Sequence, residues 1–302
     1  MARTGPLRVS VVVATRTPLP TAARTLESLA REGASLEVLV ADGTDDGALA
    51  AEVQRHPGMR HIPLPGAALP ALKAAAIRAS HGDLVAIVDP TDAVEPGWLA
   101  EILAAFEDPT VVAVGGAVLL DDKALRGNVG AYLFEYGAFN PPFAAGDAPG
   151  DLPGNNVAYR RGALVDDCAD LLEAEGFYKP LFHARIRETG GRLVLRPALR
   201  VRHLTQHRLL PFGVRRFHHG RCFGATRLRR ASPARRLLYR VMAPAVIPLL
   251  VARHLRRAWR HPSNRALLPR GGLALCAVCV SWGLGEFIGC WFGAGRSCAM
   301  VY

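Results

Sequence analysis

The chain has 302 residues, half of them apolar, which suits one domain of about 200 residues with a two-sided core and a separate appendage. No basic, apolar and small-residue series opens it, so we expect no secretory signal and a cytosolic N-terminal domain. The formal charge of +11 is local, because 22 arginines and a single acidic residue lie between Arg185 and Arg270. That basic block has no nucleic-acid-reading motif with interleaved aromatic residues, so nucleic acid is not an expected partner.

Three apolar runs near the start of the chain predict strands that are covered on both faces, because the runs lack polar alternation. Leu26, Leu29 and Ala30 recur at helical spacing after the first run, within a predicted helix over Pro20 to Glu32 with Thr21 as a candidate N-cap. Strand, helix and strand in turn predict parallel pairing with right-handed crossovers. The runs are Val9–Val13, Val38–Ala41 and Leu84–Val88.

Each apolar run ends in a short polar loop, with Thr15, Asp42 and Asp89 at or just beyond the strand ends. The carboxyl ends of parallel strands meet at one edge of a sheet, where α/β proteins bind ligands. We therefore expect these three positions to converge on one pocket. A second interpretation stays open for Asp42 and Asp89, which are also suitable caps for the helices that follow.

Five motifs occur in a characteristic order: Ala14-Thr15-Arg16, Asp42-Gly43-Thr44-Asp45-Asp46, Asp89-Pro90-Thr91-Asp92, Gly154-Asn155-Asn156-Val157, and a strand closing at Val201-Arg202-His203. Their order and spacing resemble the family 2 glycosyltransferases of the GT-A fold, over residues 8 to 205. The resemblance implies an α/β fold, with a Rossmann-like, mostly parallel central sheet and flanking helices.

The resemblance also implies that a nucleotide-sugar donor binds at the first three loops. Ala14, Thr15 and Arg16 are expected to border the base and ribose. Asp42 is expected to accept hydrogen bonds from the nucleobase, and Asp89 to contact the ribose or a metal ion. A divalent cation, Mn²⁺ or Mg²⁺, would neutralise the charge that develops on the departing diphosphate.

The sequence departs from the family pattern at the metal site. Thr91 stands in place of the second acid of the D-x-D loop, and a neutral hydroxyl is a poorer ligand for a hard cation. Asp92, one position further on, is therefore the second candidate metal ligand beside Asp89. Lys73 keeps the positive charge that the family carries in the helix before this strand.

A second departure concerns the catalytic base. Lys179 occupies the position of the family's acidic residue, and a protonated lysine cannot accept a proton, so we expect it to hold a phosphate. His183, which titrates in the useful range, and Asp92 are the candidate catalytic residues. Five acids just upstream stay open as alternative bases, although they also suit a solvated helix surface: Asp166, Asp167, Asp170, Glu173 and Glu175. The candidates for acceptor or phosphate binding are Asn155, Asn156, Lys179, His203, Arg216 and Arg221.

The C-terminal part of the chain predicts attachment to a membrane. Val241–Ala252 is uncharged but too short for a span of about 20 residues, whereas Leu273–Ala294 is long enough. Arginines beside apolar helices are typical of a cytoplasmic membrane surface. We interpret Pro233–Ala294 as one re-entrant or interfacial helix followed by one span or deep hairpin.

Glu286 is the only charged residue of the long apolar stretch, and Gly285 and Gly289 beside it form a small-xxx-small step that allows close helix packing. A mid-tract glutamate is costly without a partner. Either it pairs with an arginine that docks the tail, or it reaches water at the interface. Of the six cysteines, Cys222 is expected to be solitary, and Cys276-x-x-Cys279 is interpreted as part of an apolar helix, not as a metal site.

We therefore expect a GT-A domain over residues 1–205, a basic connector over 206–232 and a helical membrane segment over 233–302. The expected activity is transfer of a sugar, with inversion, from a nucleotide-sugar donor to a lipid-linked or membrane glycan acceptor of the cell envelope. The expected location is the cytoplasmic face of the cell membrane, on an anionic surface. The alternative is a catalytically degenerate domain that binds nucleotide or glycolipid as a partner subunit, as Thr91 and Lys179 suggest.

Overall fold

A computed structural model describes residues 7–16, 20–33, 36–44, 47–204, 208–229 and 231–300. The chain forms two compact units. Unit 1 comprises residues 1–119 and 143–205, and unit 2 comprises residues 120–142 and 206–302. Residues 120–142, which fall within the predicted domain over 1–205, belong to unit 2 in the structure.

The strands are β1 Val9–Thr15, β2 Glu37–Asp42, β3 Met59–Pro63, β4 Leu84–Val88, β5 Asp92–Val94, β6 Val111–Leu120, β7 Gly146–Asp147, β8 Asn156–Arg160 and β9 Arg192–His203. The helices are α1 Pro20–Arg31, α2 Ala48–Gln54, α3 Leu69–Ala79, α4 Trp98–Ala105, α5 Arg126–Glu135, α6 Arg161–Val165, α7 Ala169–Ala174, α8 Lys179–Glu188, α9 Leu209–Arg229, α10 Pro233–Arg260 and α11 Pro262–Phe292. A 3-10 helix covers Ser297–Met300.

The strands of the described residues form one sheet in the order β3-β2-β1-β4-β8-β6-β9-β5, with β7 paired to β9. β1 runs parallel to β2 and β4, and β2 parallel to β3. The pairs β4–β8, β6–β8, β5–β9 and β7–β9 are antiparallel. The α/β fold is confirmed, but the sheet is mixed and not mostly parallel, because the helical crossovers on which the prediction rested join only the first strands.

The core of unit 1 lies on both faces of this sheet. The three predicted apolar runs fall within β1, β2 and β4, and almost every residue of those strands is buried. The predicted first helix is α1, and its Leu26 and Leu29 are fully buried. The side chain of Thr21 lies outside the described part of the structure, so its capping role stays a prediction.

Unit 2 is built around α11, which packs against α5, α9 and α10. Glycines allow the backbones of α9 and α11 to touch: a Cβ on Gly220 would overlap the carbonyl oxygen of Trp282, and one on Gly285 would overlap that of Phe217. Small residues at such spacing allow this close approach, as predicted for Gly285.

Glu286 has a partner inside unit 2. It is buried and forms an ion pair with Arg227, whose guanidinium lies over the rings of Phe223 and Tyr239, at 5.0 and 4.6 Å from their centres. Of the two interpretations of Glu286, the docking pair is confirmed. A buried charge without such a partner is strongly unfavourable.

Two helices of the described residues, α10 and α11, are long and apolar enough to cross a membrane by length and composition. Half of the apolar window of α11 is buried inside the protein, but only 11% of that of α10. The helix α10 continues through Pro244 and Pro248, so the short uncharged stretch predicted there is the middle of a 28-residue helix.

The cysteine prediction needs one correction. Cys222 on α9 forms a disulfide with Cys298 in the 3-10 helix, with 5.0 Å between their Cα atoms. The sequence separation of 76 residues conceals this pairing, because only the fold brings the two positions together. Cys276 and Cys279 lie within the long apolar helix α11, where a helix was expected, and both are free thiols.

Candidate active site

The three predicted loops converge at one edge of the sheet. Thr15 and Asp42 are direct partners at the ends of β1 and β2. In the neighbouring parallel pair, Val12 lies opposite Ile87, so Asp89 follows β4 at the same edge. Ala14 is buried in β1, whereas Arg16 is exposed just beyond it.

Asp42 is held by its own surroundings. Its carboxylate accepts hydrogen bonds from the backbone amide and hydroxyl of Thr44, at 2.8 and 2.7 Å, and contacts Nε2 of His61 at 2.9 Å. Burial raises the pKa of Asp42, but these hydrogen bonds outweigh it and leave the pKa below its usual value. Both oxygens therefore have protein partners. Asp42 does not cap the helix that follows, because the N-cap of α2 is Gly47, and its contact with a nucleobase stays a prediction. His61, on β3, was not predicted.

Asp89 and Lys73 form the accessible charged pair of the site. The Lys73 ammonium lies 3.0 Å from Oδ1 of Asp89, and the Asp89 side chain is 32% exposed. The helix α3 delivers Lys73 to the end of β4, as the retained positive charge suggested. Among the described residues, the second carboxylate oxygen of Asp89 has no hydrogen-bond partner and can face a ligand.

Asp92, three residues after Asp89, is fully buried. One carboxylate oxygen lies 2.8 Å from Nδ1 of His203, its partner across the β5–β9 pair, and the other accepts a hydrogen bond of 2.9 Å from the Asn155 amide. Burial raises the pKa of Asp92, the nearby Asp89 adds to the rise, and His203 opposes it. With both oxygens occupied and no exposure, Asp92 does not present a free oxygen to a cation or to an acceptor hydroxyl.

The two asparagines after this loop differ in role. Asn156 accepts a hydrogen bond from the Trp98 indole and donates to the carbonyls of Ala117 and Leu199, so it holds the sheet together. Asn155 is equally buried, but its Oδ1 has no hydrogen-bond partner within the described residues. Only Asn155 therefore retains an unused acceptor beside Asp92.

A second cluster contains an acid that the sequence analysis missed. Asp151 forms an ion pair with Lys179 at 2.5 Å and contacts Nδ1 of His183, while the Tyr159 hydroxyl lies 2.7 Å from Nε2 of His183. Burial raises the pKa of Asp151, but hydrogen bonds from His183 and Lys179 hold it well below its usual value. Both oxygens of Asp151 have protein partners, Oδ1 the His183 ring and Oδ2 the Lys179 ammonium. Unlike the fully buried Asp92, however, the Asp151 side chain is 43% exposed, so its carboxylate is accessible to a substrate.

His183 lies on the buried side of this cluster. It is buried, and burial lowers its pKa despite the opposing effect of Asp151. A neutral imidazole that donates from Nδ1 to Asp151 and accepts at Nε2 from Tyr159 satisfies both contacts. The predicted catalytic residue therefore orients an acid and does not itself reach solvent. The Lys179 ammonium donates hydrogen bonds to Asp151 and, at 2.5 Å, to the carbonyl of Leu152. The sequence had predicted that this ammonium would bind a phosphate.

The two clusters belong to one region. Asp151 and Asn155 lie four residues apart in the loop before β8, so their Cα atoms are at most about 14 Å apart. Burial lowers the pKa of Lys179, Asp151 opposes this, and the positive charge of Lys73 adds to the lowering. The signal for Asp151 was its place between Gly150 and Gly154, just before the recognised asparagines.

The residues fit a divalent cation that is held largely by substrate. Within the part of the chain that the structure describes, no group of three His, Cys, Asp or Glu side chains is placed to hold a metal ion. Asp89 offers a carboxylate oxygen, and Asn155 has an unpartnered buried carbonyl oxygen near Asp92. Mg²⁺-like ions are commonly bound by one or two such oxygens together with substrate phosphates.

Arg216 and Arg221 belong to unit 2, where both have protein partners. Arg216 forms an ion pair with Glu135 and lies over the ring of Phe212 at 4.7 Å. Arg221 donates to the carbonyl of Gly293, at the C-terminal end of α11, at 2.9 Å. Each guanidinium group therefore has a structural contact within unit 2, and a role of either arginine in binding a diphosphate or an acceptor stays a prediction.

Comparisons with known proteins agree with this geometry. Residues 10–166, just over half of the chain, match the model of Glycosyl transferase family 2. No curated protein matches the chain in sequence.

Two of the solved structures with a similar fold are a mannosyltransferase and GalNAc-T7. The mannosyltransferase PcManGT from Pyrobaculum calidifontis, in complex with GDP-Man and Mn²⁺, has a TM-score of 0.58 and 20% identity, over 95% of this chain and 88% of that chain. GalNAc-T7 with UDP, GalNAc and Mn²⁺ has a TM-score of 0.51 and 14% identity, over 68% of this chain and 45% of that chain. These likenesses extend to the fold alone, whereas the family match covers the strand ends and Asp89. The chain therefore belongs to glycosyl transferase family 2, and it is a glycosyltransferase of GT-A fold that uses nucleotide-sugar donors.

Proposed function

We propose that this enzyme transfers one sugar, with inversion, from a nucleoside-diphosphate sugar to a lipid-linked or membrane glycan acceptor at the cytoplasmic face of the membrane. The observation that carries the proposal is the pairing of an accessible Asp89–Lys73 site with the exposed, ionised carboxylate of Asp151. The Asp89–Lys73 site suits a diphosphate, and the Asp151 carboxylate suits an acceptor hydroxyl.

The donor nucleotide would lie across the ends of β1, β2 and β4, beside Thr15, Arg16 and the Asp42 loop. Lys73 carries a positive charge toward Asp89, where the diphosphate would lie. A divalent cation bound by Asp89 would supply neutralisation of the diphosphate charge. The two similar solved structures, which contain GDP-Man or UDP together with Mn²⁺, support this choice of ligands.

Asp151 would act as the base. As the acceptor oxygen forms its bond to the sugar carbon, the bond from that carbon to the diphosphate oxygen breaks. The hydroxyl proton passes to the Asp151 carboxylate, and the nucleoside diphosphate leaves with the bonding electron pair. Attack opposite the leaving group inverts the anomeric carbon. His183 and Lys179 fix the orientation of the carboxylate and keep it ionised at neutral pH.

The acceptor is assigned to the membrane because of unit 2. Its helices α10 and α11 are apolar and long, and α10 exposes most of its apolar window. The unit contains 19 of the 37 lysines and arginines but only 4 of the 26 acidic residues, which suits an anionic cytoplasmic surface.

The test is turnover by the purified full chain in detergent, with UDP-, GDP- and dTDP-sugars, with Mn²⁺ or Mg²⁺, and with a membrane-lipid extract as acceptor. We expect nucleoside diphosphate release with at least one donor. Asp151→Asn should abolish it, whereas Asp170→Asn, which removes an exposed carboxylate paired with Arg185, should not. No release and no nucleotide binding with any donor would refute the proposal.

A second candidate function is nucleotide or glycolipid binding without catalysis. Thr91 and Lys179, which replace acids of the family pattern, favour it. In that case the chain would bind a nucleoside diphosphate, but Asp151→Asn would change no rate, because no donor would be consumed.

A further inference from the structure

The helix α10 has an exposed apolar face that ends in a cluster of arginines. Large apolar side chains project from it at helical spacing, and the exposed ones are Leu237, Leu238, Val241, Met242 and Leu249. Arg253, Arg256, Arg257 and Arg260 follow within the next three turns, and all four are exposed. The spacing continues the same face, because Leu249, Arg253, Arg256 and Arg260 are separated by three or four residues.

These four arginines surround a hollow of about 790 Å³ at the junction of α10 and α11. Its walls are partly apolar, with Leu249 and Ala252 on α10 and Pro262 at the start of α11. The N-terminal end of α11, a 31-residue helix, therefore contributes further positive potential at its rim.

The guanidinium groups of this arginine cluster have no ion-pair or hydrogen-bond partner in the described part of the chain. Other arginines of unit 2 are engaged: Arg216 with Glu135, Arg227 with Glu286, and Arg240 with the Cys290 carbonyl at 3.1 Å. Like charges at these helical spacings repel one another, so an anion in the hollow would relieve the repulsion.

The dimensions match one leaflet of a bilayer. From Leu237 to Leu249 the helix rises about 18 Å, close to the roughly 15 Å thickness of half the hydrocarbon core. With this face in one leaflet, the arginines would lie at the depth of the lipid headgroups. Trp259, which is 65% exposed beside them, is the residue type that membrane interfaces favour.

We propose that the arginine cluster binds the phosphate of an anionic phospholipid, whose acyl chains lie along the apolar face of α10. The arginine forks match phosphate oxygens, and the apolar walls match the glycerol and acyl ends. A free phosphate ion would use the same guanidinium groups but would leave the apolar walls unused. This inference rests on the membrane attachment proposed above and is independent of the donor chemistry.

The test measures binding of fluorescent phosphatidylglycerol and phosphatidylcholine, of equal chain length, to the detergent-solubilised full chain. The wild type should prefer the anionic lipid by about tenfold or more. The variant R253Q/R256Q/R260Q should lose that preference while still binding both lipids weakly. The matched control R208Q/R235Q/R296Q removes three exposed arginines of the same unit and should retain it.

An unchanged preference in the R253Q/R256Q/R260Q variant would overturn the proposal, as would equal loss in the control, which would mean a general charge effect. Full displacement by millimolar inorganic phosphate would also overturn it, since the site would then be one for free phosphate. The assay uses no nucleotide sugar, so failure of the glycosyltransferase proposal leaves its outcome unaffected. No binding of either lipid would overturn this inference together with the membrane attachment on which it rests.

Discussion

The two units differ in their balance of acidic and basic residues and in how these residues are paired. Unit 1 contains 22 acidic and 18 basic residues, and its candidate site is built from opposite charges in contact, such as Asp89 with Lys73 and Asp151 with Lys179. Unit 2 contains 19 basic and 4 acidic residues, and two of those acids, Glu135 and Glu286, are used by Arg216 and Arg227. The net charge of the chain therefore reports on the surface of unit 2 and says little about the chemistry of unit 1.

The largest effect should come from the accessible pair of unit 1. Asp89→Asn removes the carboxylate charge beside Lys73, and we expect turnover to fall by about a thousandfold, as when a group that stabilises transition-state charge is lost. Steady-state release of nucleoside diphosphate is the measurement. Asp108→Asn, an exposed carboxylate paired with Arg192, is the control and should leave turnover unchanged. Equal activity of wild type and Asp89→Asn would show that the Asp89 carboxylate takes no part in the reaction.

The buried pair of unit 2 comes next. Arg227→Met leaves Glu286 buried without its partner, and we expect it to destabilise the unit by about 3 kcal/mol. Thermal unfolding in detergent, followed by helical circular dichroism, measures this. The double variant R227M/E286Q should recover much of the loss, because it removes both charges. If the single variant unfolds like the wild type, the ion pair does not hold the unit together.

Close backbone contacts allow a direct comparison of the units. Gly220→Ala should destabilise unit 2 by about 2 kcal/mol, because its Cβ would overlap the Trp282 carbonyl. In unit 1, Gly116→Ala should have a similar effect, since its Cβ would overlap the Leu199 carbonyl. Gly272→Ala in α11, where the nearest atom lies at 3.8 Å, should be neutral or slightly stabilising. Chemical unfolding of the three variants provides the ranking, and a tolerated alanine at 220 would argue against contact between α9 and α11.

The smallest expected effect is that of pH on the rate. A base must be deprotonated, and the pKa of Asp151 lies below its usual range, so kcat/KM should stay flat from pH 8 down to about pH 5. The pKa of His183 is lowered from 6.5 by burial, so a histidine base would give a falling limb below neutral pH. A pH–rate profile of the wild type, with protein stability checked at each pH, distinguishes them. A limb that disappears in His183→Gln would favour the histidine.

Sequence reasoning reached the strand ends because the signal there is local. An apolar run followed by a polar residue reports a buried strand and the point where it ends, which is enough to assign Thr15, Asp42 and Asp89 to one edge of the sheet. The parallel part of the sheet followed from the same pattern. The antiparallel partners β6, β8 and β9 did not, since nothing local specifies which strands become neighbours.

Asp151, the proposed base, was missed because its importance depends on distant residues. Asp151 becomes notable only through Lys179 and His183, which lie 28 and 32 positions away along the chain. In the sequence, Lys179 occupies the position where the family has an acidic residue. In the fold, the carboxylate of Asp151 reaches this lysine from another loop. The disulfide from Cys222 and the place of residues 120–142 in unit 2 were hidden for the same reason.

The most direct measurement is a structure of the full chain with a nucleoside diphosphate and Mn²⁺. The account predicts the nucleoside across the ends of β1, β2 and β4, with the diphosphate in contact with Lys73 and, through the cation, with Asp89. It also predicts that the Asp151 carboxylate faces the position of the transferred sugar. A nucleotide bound away from these strand ends, or an Asp151 that is turned away from the diphosphate, would contradict it.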